Sequence, residues 1–555
     1  MKIVFLIGND NHSTRLSIQS VCKINGVEPV AVLLDTAVIP FVRRLNFLKK
    51  NIKINGIGYL PDRINRFFYE SLELQAGKVV FPQKIDKVMH KTFPDYYSNI
   101  KELGKQFNFR IFEVNNLNSL QAAKVLQETG AELGVVLGTR ILKCSTFSIP
   151  PKGCINLHKG KVPEYRGMPP GFWELHEGSK YAGITVHLVD DGLDTGDIIS
   201  TFDFEINQNE TLASLQYKLN VEGARLLANS IEDLISGNVK IKPQPPALIK
   251  PKTSPTRLQY AELMRKSPNI IRGPKYIKKS FKTLAYLFFL HSGIYKFARF
   301  WKKNLNISRA RILLYHRVNN YSADPLTAST DLFAAHLLML KRYYHVRSTS
   351  WLINSLTNNK PIPPDTIIIH FDDSYKDVFI NAVPLLREFD MPATFFIATG
   401  FLGTNRAYAH DQKKYPFFYE NMDEQDVRKI AEMGFEVGAH TVNHVDLGNV
   451  LLNEAEFEIF ESRKRLEEIT GRPIEFFSFP FGRLSNIGAD AKKVIEDAGF
   501  RALFSAYGGT VTHKCSRYDI PRIGASGEHR PLDLMMEIEG ISFMDFTQFL
   551  KKYRS

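Results

Sequence analysis

Apolar residues along the chain gather in short unbroken runs, and between many of these runs they return at helical spacing. The first runs, KIVFLIGN from Lys2 and EPVAVLLD from Glu28, predict buried strands. Between them STRLSIQSVCKING predicts a helix ending at Gly26, so the chain opens as βαβ. Residues 41–106 break the pattern with several Pro, Gly and aromatic residues and read as an irregular insertion. Alternation returns with SLQAAKVLQETG as helix, then ELGVVLGT and GCINLH as strands. A second α/β region starts at RARILLYHRV, with DTIIIHF, PATFFIATG, FEVGAH and FFSFPFG as strands and helical stretches between most of them. Its clearest helix is NEAEFEIFESRKRLEEITG, with Asn453 placed to cap the start and Gly471 to end it. Repeated strand–helix alternation of this kind predicts a parallel sheet or barrel.

A chain of 555 residues calls for two or more domains, each able to bury its own core. Its 44% hydrophobic and 23% charged content is that of ordinary globular protein. The opening MKIVFLIGNDNHS has too short an apolar run, and too turn-like a sequel, for a signal peptide. No run reaches the ~18 apolar residues of a membrane span. Cys22, Cys144, Cys154 and Cys515 form no CxxC pair, which argues against a disulfide framework and a thiolate zinc site. The expected compartment is the cytoplasm.

Charge adds one feature. Between Glu262 and Asp324 there is no acidic residue, while 14 Lys and Arg fall there and account for the whole net charge of +14. That segment, residues 263–323, contains YIKKSFKTLAYLFFLHSGIYKFARFWKK. Basic residues interleaved with aromatic ones suit the surface of an anionic membrane, and so imply a peripheral location at its inner face. A linker helix docked on a neighbouring domain fits equally, and nucleic acid fits less well than either.

Two constellations carry chemistry. In INLHKGKVPEYRG, Asn156 and His158 are two apart and share one face of an extended segment. An amide donor beside an imidazole can stabilise an oxyanion and shuttle a proton, as acyl transfer to an amine requires. Downstream, VDDGLDTGDI could bring a carboxylate to that histidine, and its spacing does not meet the calcium-loop pattern. Spacing alone favours a structural histidine near a turn.

NLHKGKVPEYRG followed by DGLDTGD resembles the folate-dependent formyltransferases, over roughly residues 1 to 245. The resemblance implies a Rossmann-like domain that holds N10-formyltetrahydrofolate near an Asn–His–Asp triad. Asn156 and His158 would polarise the formyl carbonyl, and Asp194 would orient the histidine. Gly160 departs from the family, where Ser is frequent.

The second constellation is Asp372 and Asp373 in IIIHFDDSYKD with His440 and His444 in AHTVNH. Two imidazoles and one carboxylate can hold a divalent ion with an open position for water. An HxxxH pair alone also fits two surface histidines. Neighbouring residues on a strand face opposite ways, so both Asp can serve one site only where the strand ends.

LLYHRV, FDDSYKD, PATFFIATG, HTVNH and FSFPFG, in this order, resemble the polysaccharide deacetylases (NodB-type, carbohydrate esterase 4), across roughly residues 309 to 555. The resemblance implies a distorted (β/α) barrel with Asp373, His440 and His444 as ligands of a divalent metal such as Zn. Asp372 would be the general base. Three departures stand out: His370 for a common Thr, Ser374 for Gly, and Ser478 for an Arg that contacts the base. The late histidine of the family has two candidates, His529 and His316.

The resulting expectation is an α/β chain with a formyltransferase-like domain at 1–255, a linker at 256–308 and a deacetylase-like domain at 309–555. Both halves would modify amino sugars, nucleotide-linked or lipid-linked, in cell-surface glycan synthesis. The alternatives are a methionyl-tRNA-type formyltransferase, and a non-catalytic glycan-binding or membrane-docking second half.

Overall fold

The computed structural model describes residues 1–36, 85–206, 210–246, 250–266, 283–288, 309–320, 324–414, 419–525 and 529–540, with isolated positions between 292 and 300 and at 527. Most of the basic aromatic segment, and with it the expected membrane contact, lies outside the described residues. No helix among the described residues is long and apolar enough to cross a membrane. The chain divides into two units, the first built largely from Met1–Arg63 and Asp95–Arg272, the second largely from Gly273–Lys413 and Phe417–Ser555.

The first unit is organised by a seven-stranded sheet of β1 Lys2–Ile7, β2 Glu28–Asp35, β3 Arg110–Val114, β4 Leu133–Leu137, β5 Cys154–His158, β6 Tyr181–Leu188 and β7 Ile198–Glu205. Their order is β3-β2-β1-β4-β5-β6-β7. Pairing is parallel up to β5 and antiparallel from β5 to β7. Ile3, Phe5 and Ile7 enter one core layer, and Val4 and Leu6 enter the other. Both faces of β1 are therefore covered, which is why its sequence is continuously apolar rather than alternating. Helix α1, His12–Cys22, starts at Asn11, whose side chain accepts from the Thr14 amide at 3.0 Å.

The irregular insertion expected at 41–106 is corrected in its described part, which contains helices α2, Ile85–Thr92, and α3, Ile100–Phe107. Residues 37–84 lie outside the described residues. Both helices are too short to declare themselves by periodicity. Ile100, Leu103 and Gly104 make a narrow buried stripe on α3, and its cap Asn99 accepts from the Glu102 amide at 3.1 Å. Helix α2 belongs to the second unit.

The second unit curves a parallel sheet into an open barrel. Its strands are β8 Ala310–Tyr315, β11 His345–Val346, β12 Thr366–Phe371, β13 Thr394–Ile397, β14 Glu436–Ala439, β15 Phe476–Ser478, β16 Ala502–Phe504 and β17 Ile523–Gly524, with a separate pair β9 Arg317–Val318 and β10 Thr327–Ala328. The main order is β16-β15-β14-β13-β12-β8-β17, with β11 also on β12. Helix α4, Leu452–Thr470, ends as expected at Gly471 in the left-handed region (φ 65°). Its start differs from expectation: Leu451 occupies the cap and makes no side-chain bond, while Asn453 lies within the first turn.

Candidate active sites

In the first unit, Asn156 and His158 stand on β5, and the antiparallel register places Asn156 opposite His187 on β6. Asp194 follows β6 in a loop where its backbone is left-handed (φ 52°). That conformation turns its carboxylate back to the sheet. Asp194 Oδ1 accepts from Asn156 Nδ2 at 3.3 Å, and Oδ2 accepts from the Gly167 amide at 3.0 Å. Asp194 Oδ2 also lies 3.4 Å from His158 Nδ1. The three residues expected from the sequence are thus brought together, and they line a cavity of about 400 Å³ that also includes Asn11, Ser13 and Lys159.

Proton positions follow from the partners. The Tyr165 carbonyl can only accept, so His158 Nε2 carries a hydrogen and donates to it at 2.8 Å. Burial lowers the His158 pKa against the opposing pull of Asp194. The neutral ring therefore keeps its lone pair on Nδ1, facing Asp194 Oδ2. A proton arriving at Nδ1 would meet a carboxylate already in place. Burial would raise Asp194, but His187, His158 and the Gly167 amide together hold it below the usual carboxylate value.

Sequence reasoning missed His187. Its Nδ1 donates to the Leu188 carbonyl at 2.7 Å, which leaves Nε2 to accept from Asn156 Nδ2 at 3.1 Å. Both amide hydrogens of Asn156 are therefore directed, and the longer bond, to Asp194, is the weaker one to surrender to a developing oxyanion. Only β-pairing reveals this contact, since His187 is 31 residues from Asn156. The departure at Gly160 also has a reason. A Cβ there would lie 2.5 Å from the Tyr165 carbonyl oxygen and 2.6 Å from His158 Nε2.

In the second unit, β12 ends at Phe371 and Asp373 adopts φ 68°. This left-handed residue breaks strand alternation and lets Asp372 and Asp373 serve one site. His440 follows β14, and His444 (φ 56°) closes the loop after it. Asp373 Oδ1 lies 3.5 Å from His440 Nε2 and 3.2 Å from His444 Nε2. His440 Nδ1 donates to the Ser478 carbonyl at 2.7 Å, which fixes the ring so that Nε2, in the neutral form a metal requires, is the ligand atom.

These residues fit a divalent cation. Both Asp373 oxygens are buried and accept no hydrogen bond. One ligand atom from each of Asp373, His440 and His444 can be chosen within 4.8 Å of the others. The imidazole Nε2 atoms lie 3.2–3.5 Å from the carboxylate oxygen, close to the ~3.4 Å edge of a tetrahedron with bonds of ~2.1 Å. Burial would raise the Asp373 pKa, but His444 and His440 hold it well below the usual carboxylate range.

The arginine absent at Ser478 is supplied from elsewhere. Arg522, just ahead of β17, donates from Nη1 to Asp372 Oδ1 at 2.7 Å and from Nη2 to Asp372 Oδ2 at 2.6 Å. Arg522 Nη2 also reaches Ser478 Oγ at 2.7 Å, and Ser478 Oγ donates to Asp372 Oδ2 at 3.2 Å. Burial would raise Asp372, but the guanidinium outweighs it and brings the carboxyl to about 2.

The other departures are structural. His370 is fully buried, bonds Thr349 Oγ1 through Nε2 at 2.9 Å, and packs edge-on against Phe396 and Phe504. Ser374 Oγ joins the end of β13, donating to the Ala398 carbonyl at 3.2 Å and accepting from its amide at 3.1 Å.

Of the two late-histidine candidates, His316 follows β8, and burial lowers its pKa to about 4 against the pull of Asp373 and Asp372. The His529 carbonyl accepts from His336 Nε2 at 2.6 Å. A third histidine, unforeseen, stands at the site. His410 Nε2 lies 3.9 Å from Asp373 Oδ2 and 3.1 Å from Tyr375 Oη. Tyr375 Oη donates to Asp411 Oδ2 at 2.6 Å, and the buried Arg317 donates to Asp411 Oδ1 at 2.6 Å. No local motif surrounds His410, so only the fold identifies it.

Comparison with known proteins finds two family matches along the chain. Residues 75–231 match the family model described as formyl transferase, and residues 359–503 match that described as polysaccharide deacetylase. Among curated relatives, the methionyl-tRNA formyltransferase of Thermodesulfovibrio yellowstonii is 31% identical over 178 residues, or 31% of this chain and 58% of the relative. That of Caldicellulosiruptor saccharolyticus is 37% identical over 145 residues, or 26% of this chain and 46% of the relative. The chain thus spans roughly half the length of these relatives. Among solved structures, the Streptococcus pyogenes deacetylase PplD in complex with acetate is 20% identical, with TM-score 0.37, covering 42% of this chain and 99% of that one. A Helicobacter canadensis N-formyltransferase, in complex with folinic acid and dTDP-3-aminofucose, is 18% identical with TM-score 0.29, covering 47% of this chain and 72% of that one.

Proposed function

We propose that this chain, which joins a formyl transferase segment to a polysaccharide deacetylase segment, is a bifunctional enzyme acting on amino sugars. The first unit transfers a formyl group from N10-formyltetrahydrofolate to a sugar amine. The second unit removes acetyl groups from N-acetylated sugars. What carries the reading is the presence of both residue clusters in one chain: Asn156, His158 and Asp194 in one unit, and Asp373, His440 and His444 in the other. Deacetylation releases an amine and formylation consumes one, so an amino sugar serves both chemistries.

In the first unit, formyl-folate supplies the activated acyl group when bound. Asn156 donates its amide hydrogen to the formyl oxygen as charge develops there. His158 takes the amine proton at Nδ1 and Asp194 stabilises the resulting charge; as the new C–N bond forms, the bond from the formyl carbon to N10 breaks and that proton passes to the departing N10. In the second unit, Asp373, His440 and His444 would hold a divalent ion, with Zn the expected one, which supplies Lewis acidity when bound. Asp372, kept ionised by Arg522, accepts a proton from water, and that proton passes on to the departing amine, with His316 or His410 as the relay.

The test is incubation of the full chain with formyl-folate and a panel of nucleotide-linked and lipid-linked amino and N-acetylamino sugars, followed by mass spectrometry. Gain of formyl and loss of acetyl are expected. Neither change on any sugar would overturn the reading.

The names of the curated relatives favour a second reading, formylation of methionyl-tRNA. A fused deacetylase has no evident use there, and the excess positive charge is concentrated in 263–323 rather than spread over the first unit. Formyl transfer to charged initiator tRNA, with steep salt dependence, would establish it instead.

A further inference from the structure

The loop between the two candidate histidine ligands is an improbable piece of backbone. Thr441 and His444 both adopt positive φ, 63° and 56°. For a β-branched residue such as Thr441 this is a true outlier, and its Oγ1 is buried without a hydrogen bond to offset the strain. Something outside the loop must hold it.

The loop carbonyls are held from one side. Thr441 accepts from the Thr399 amide at 3.2 Å, and Val442 accepts from the Gly400 amide at 2.9 Å. The approach is so close that a Cβ on Gly400 would lie 2.8 Å from the Val442 oxygen. From the other side comes one carboxylate. Glu458, in the second turn of α4, is 2% exposed. Its Oε2 accepts from the amides of Val442 at 2.7 Å and Asn443 at 2.8 Å, and its Oε1 accepts from Asn443 Nδ2 at 2.7 Å. Asn443 Oδ1 in turn accepts from Arg406 Nη1 at 2.9 Å.

A buried carboxylate is tolerated only when donors satisfy it, and these three come from two residues of this loop. Two successive amides pointing at one anion need a curled backbone, and the left-handed Thr441 just ahead of them is part of that curl. The same curl sets the separation of His440 from His444.

We propose that Glu458 is a positioning residue for the candidate metal centre. By clamping the Val442 and Asn443 amides, it holds His440 and His444 at the spacing that meets Asp373. The inference rests on the reading of Asp373, His440 and His444 as metal ligands. It extends the centre to a helix residue 14 positions beyond His444, outside the motif that the loop carries. Glutamine at 458 keeps the size, but its amide group would face the Asn443 side-chain donor, which Arg406 holds in place from the other end.

The experiment measures Zn and Co affinity of the full chain by competition with a chromophoric chelator, for the wild type, E458Q, E458D and H444A. Thermal melting of the metal-free proteins and formyl transfer serve as folding controls. E458Q is expected to bind metal about 10- to 100-fold more weakly than the wild type. E458D, which keeps the charge but retracts it, is expected to fall between the two. If E458Q matched the wild type in affinity while H444A lost metal, the proposal would be overturned and the ligand reading kept. A lower metal-free melting temperature with unchanged affinity would also overturn it, since that marks a merely structural role. No uptake by the wild type would overturn both.

Discussion

Arg522 and Asp372 are 150 residues apart in sequence and meet in a buried two-pronged ion pair, with bonds of 2.7 and 2.6 Å. The pair binds β17 to the end of β12, on opposite sides of β8. Removing the guanidinium leaves a buried carboxylate without its partner, so R522A is expected to lose about 3–5 kcal/mol of stability. R522K keeps the charge but not the fork, and should lose less. Denaturant unfolding and acetate release from an N-acetyl sugar check this. Full stability in R522A would show that the pair does not form in solution.

The candidate metal centre predicts linked stability. With free Zn at a hundredfold excess over its dissociation constant, the second unit should gain about 2.7 kcal/mol against unfolding. D373A and H444A should abolish that gain, and elemental analysis should find no bound metal in them. Both variants should leave formyl transfer unchanged, because Asn156, His158 and Asp194 lie in the other unit.

The formyl-transfer cluster predicts graded losses. H158A and N156A should each lower kcat by about 10² to 10⁴. H187A removes the group that directs the Asn156 amide and helps keep Asp194 ionised, and should cost about tenfold in kcat with little change in folate affinity. Stopped assays with formyl-folate, together with folate binding by fluorescence, separate these effects. A change in affinity without a change in kcat for H187A would place that residue in binding rather than in orientation.

Lys159 predicts a pH dependence. Its ammonium bonds Asn220 Oδ1 at 2.8 Å and Ser13 Oγ, and burial brings its pKa from 10.5 down to about 8. Between about pH 8 and 10.5 the unfolded chain binds more protons at this group, so its contribution raises stability as pH rises. Below pH 8 the cost of burying the charge is fully present. Relative to K159M, the wild type should therefore gain about 3 kcal/mol between pH 7 and 10.5, read from denaturation midpoints. A constant difference across that range would show that Lys159 is not desolvated.

Much of the candidate chemistry was legible before the fold. Asn156, His158, Asp372, Asp373, His440 and His444 sit beside apolar runs, and the spacing within each short motif expresses which side chains can face together. Asp194 was legible through resemblance, because VDDGLDTGD holds several carboxylates and spacing does not choose among them. Short-range steric rules suffice for such features, and they also forecast that Asp372 and Asp373 could share a site only at a strand end.

What the sequence by itself determined is therefore local: two α/β regions, their strand ends, and the residues that cluster within a few positions of one another. Tertiary structure decided which distant groups complete each site. His187 reaches Asn156 through antiparallel pairing, Arg522 takes the place left open by Ser478, and Glu458 reaches the His440–His444 loop from a helix. Each partnership depends on strand order and helix docking, which are settled by burial summed over the whole unit. Positive φ at Asp194, Asp373 and Thr441 is of the same kind. Local preference disfavours it, and only the surrounding contacts hold it in place.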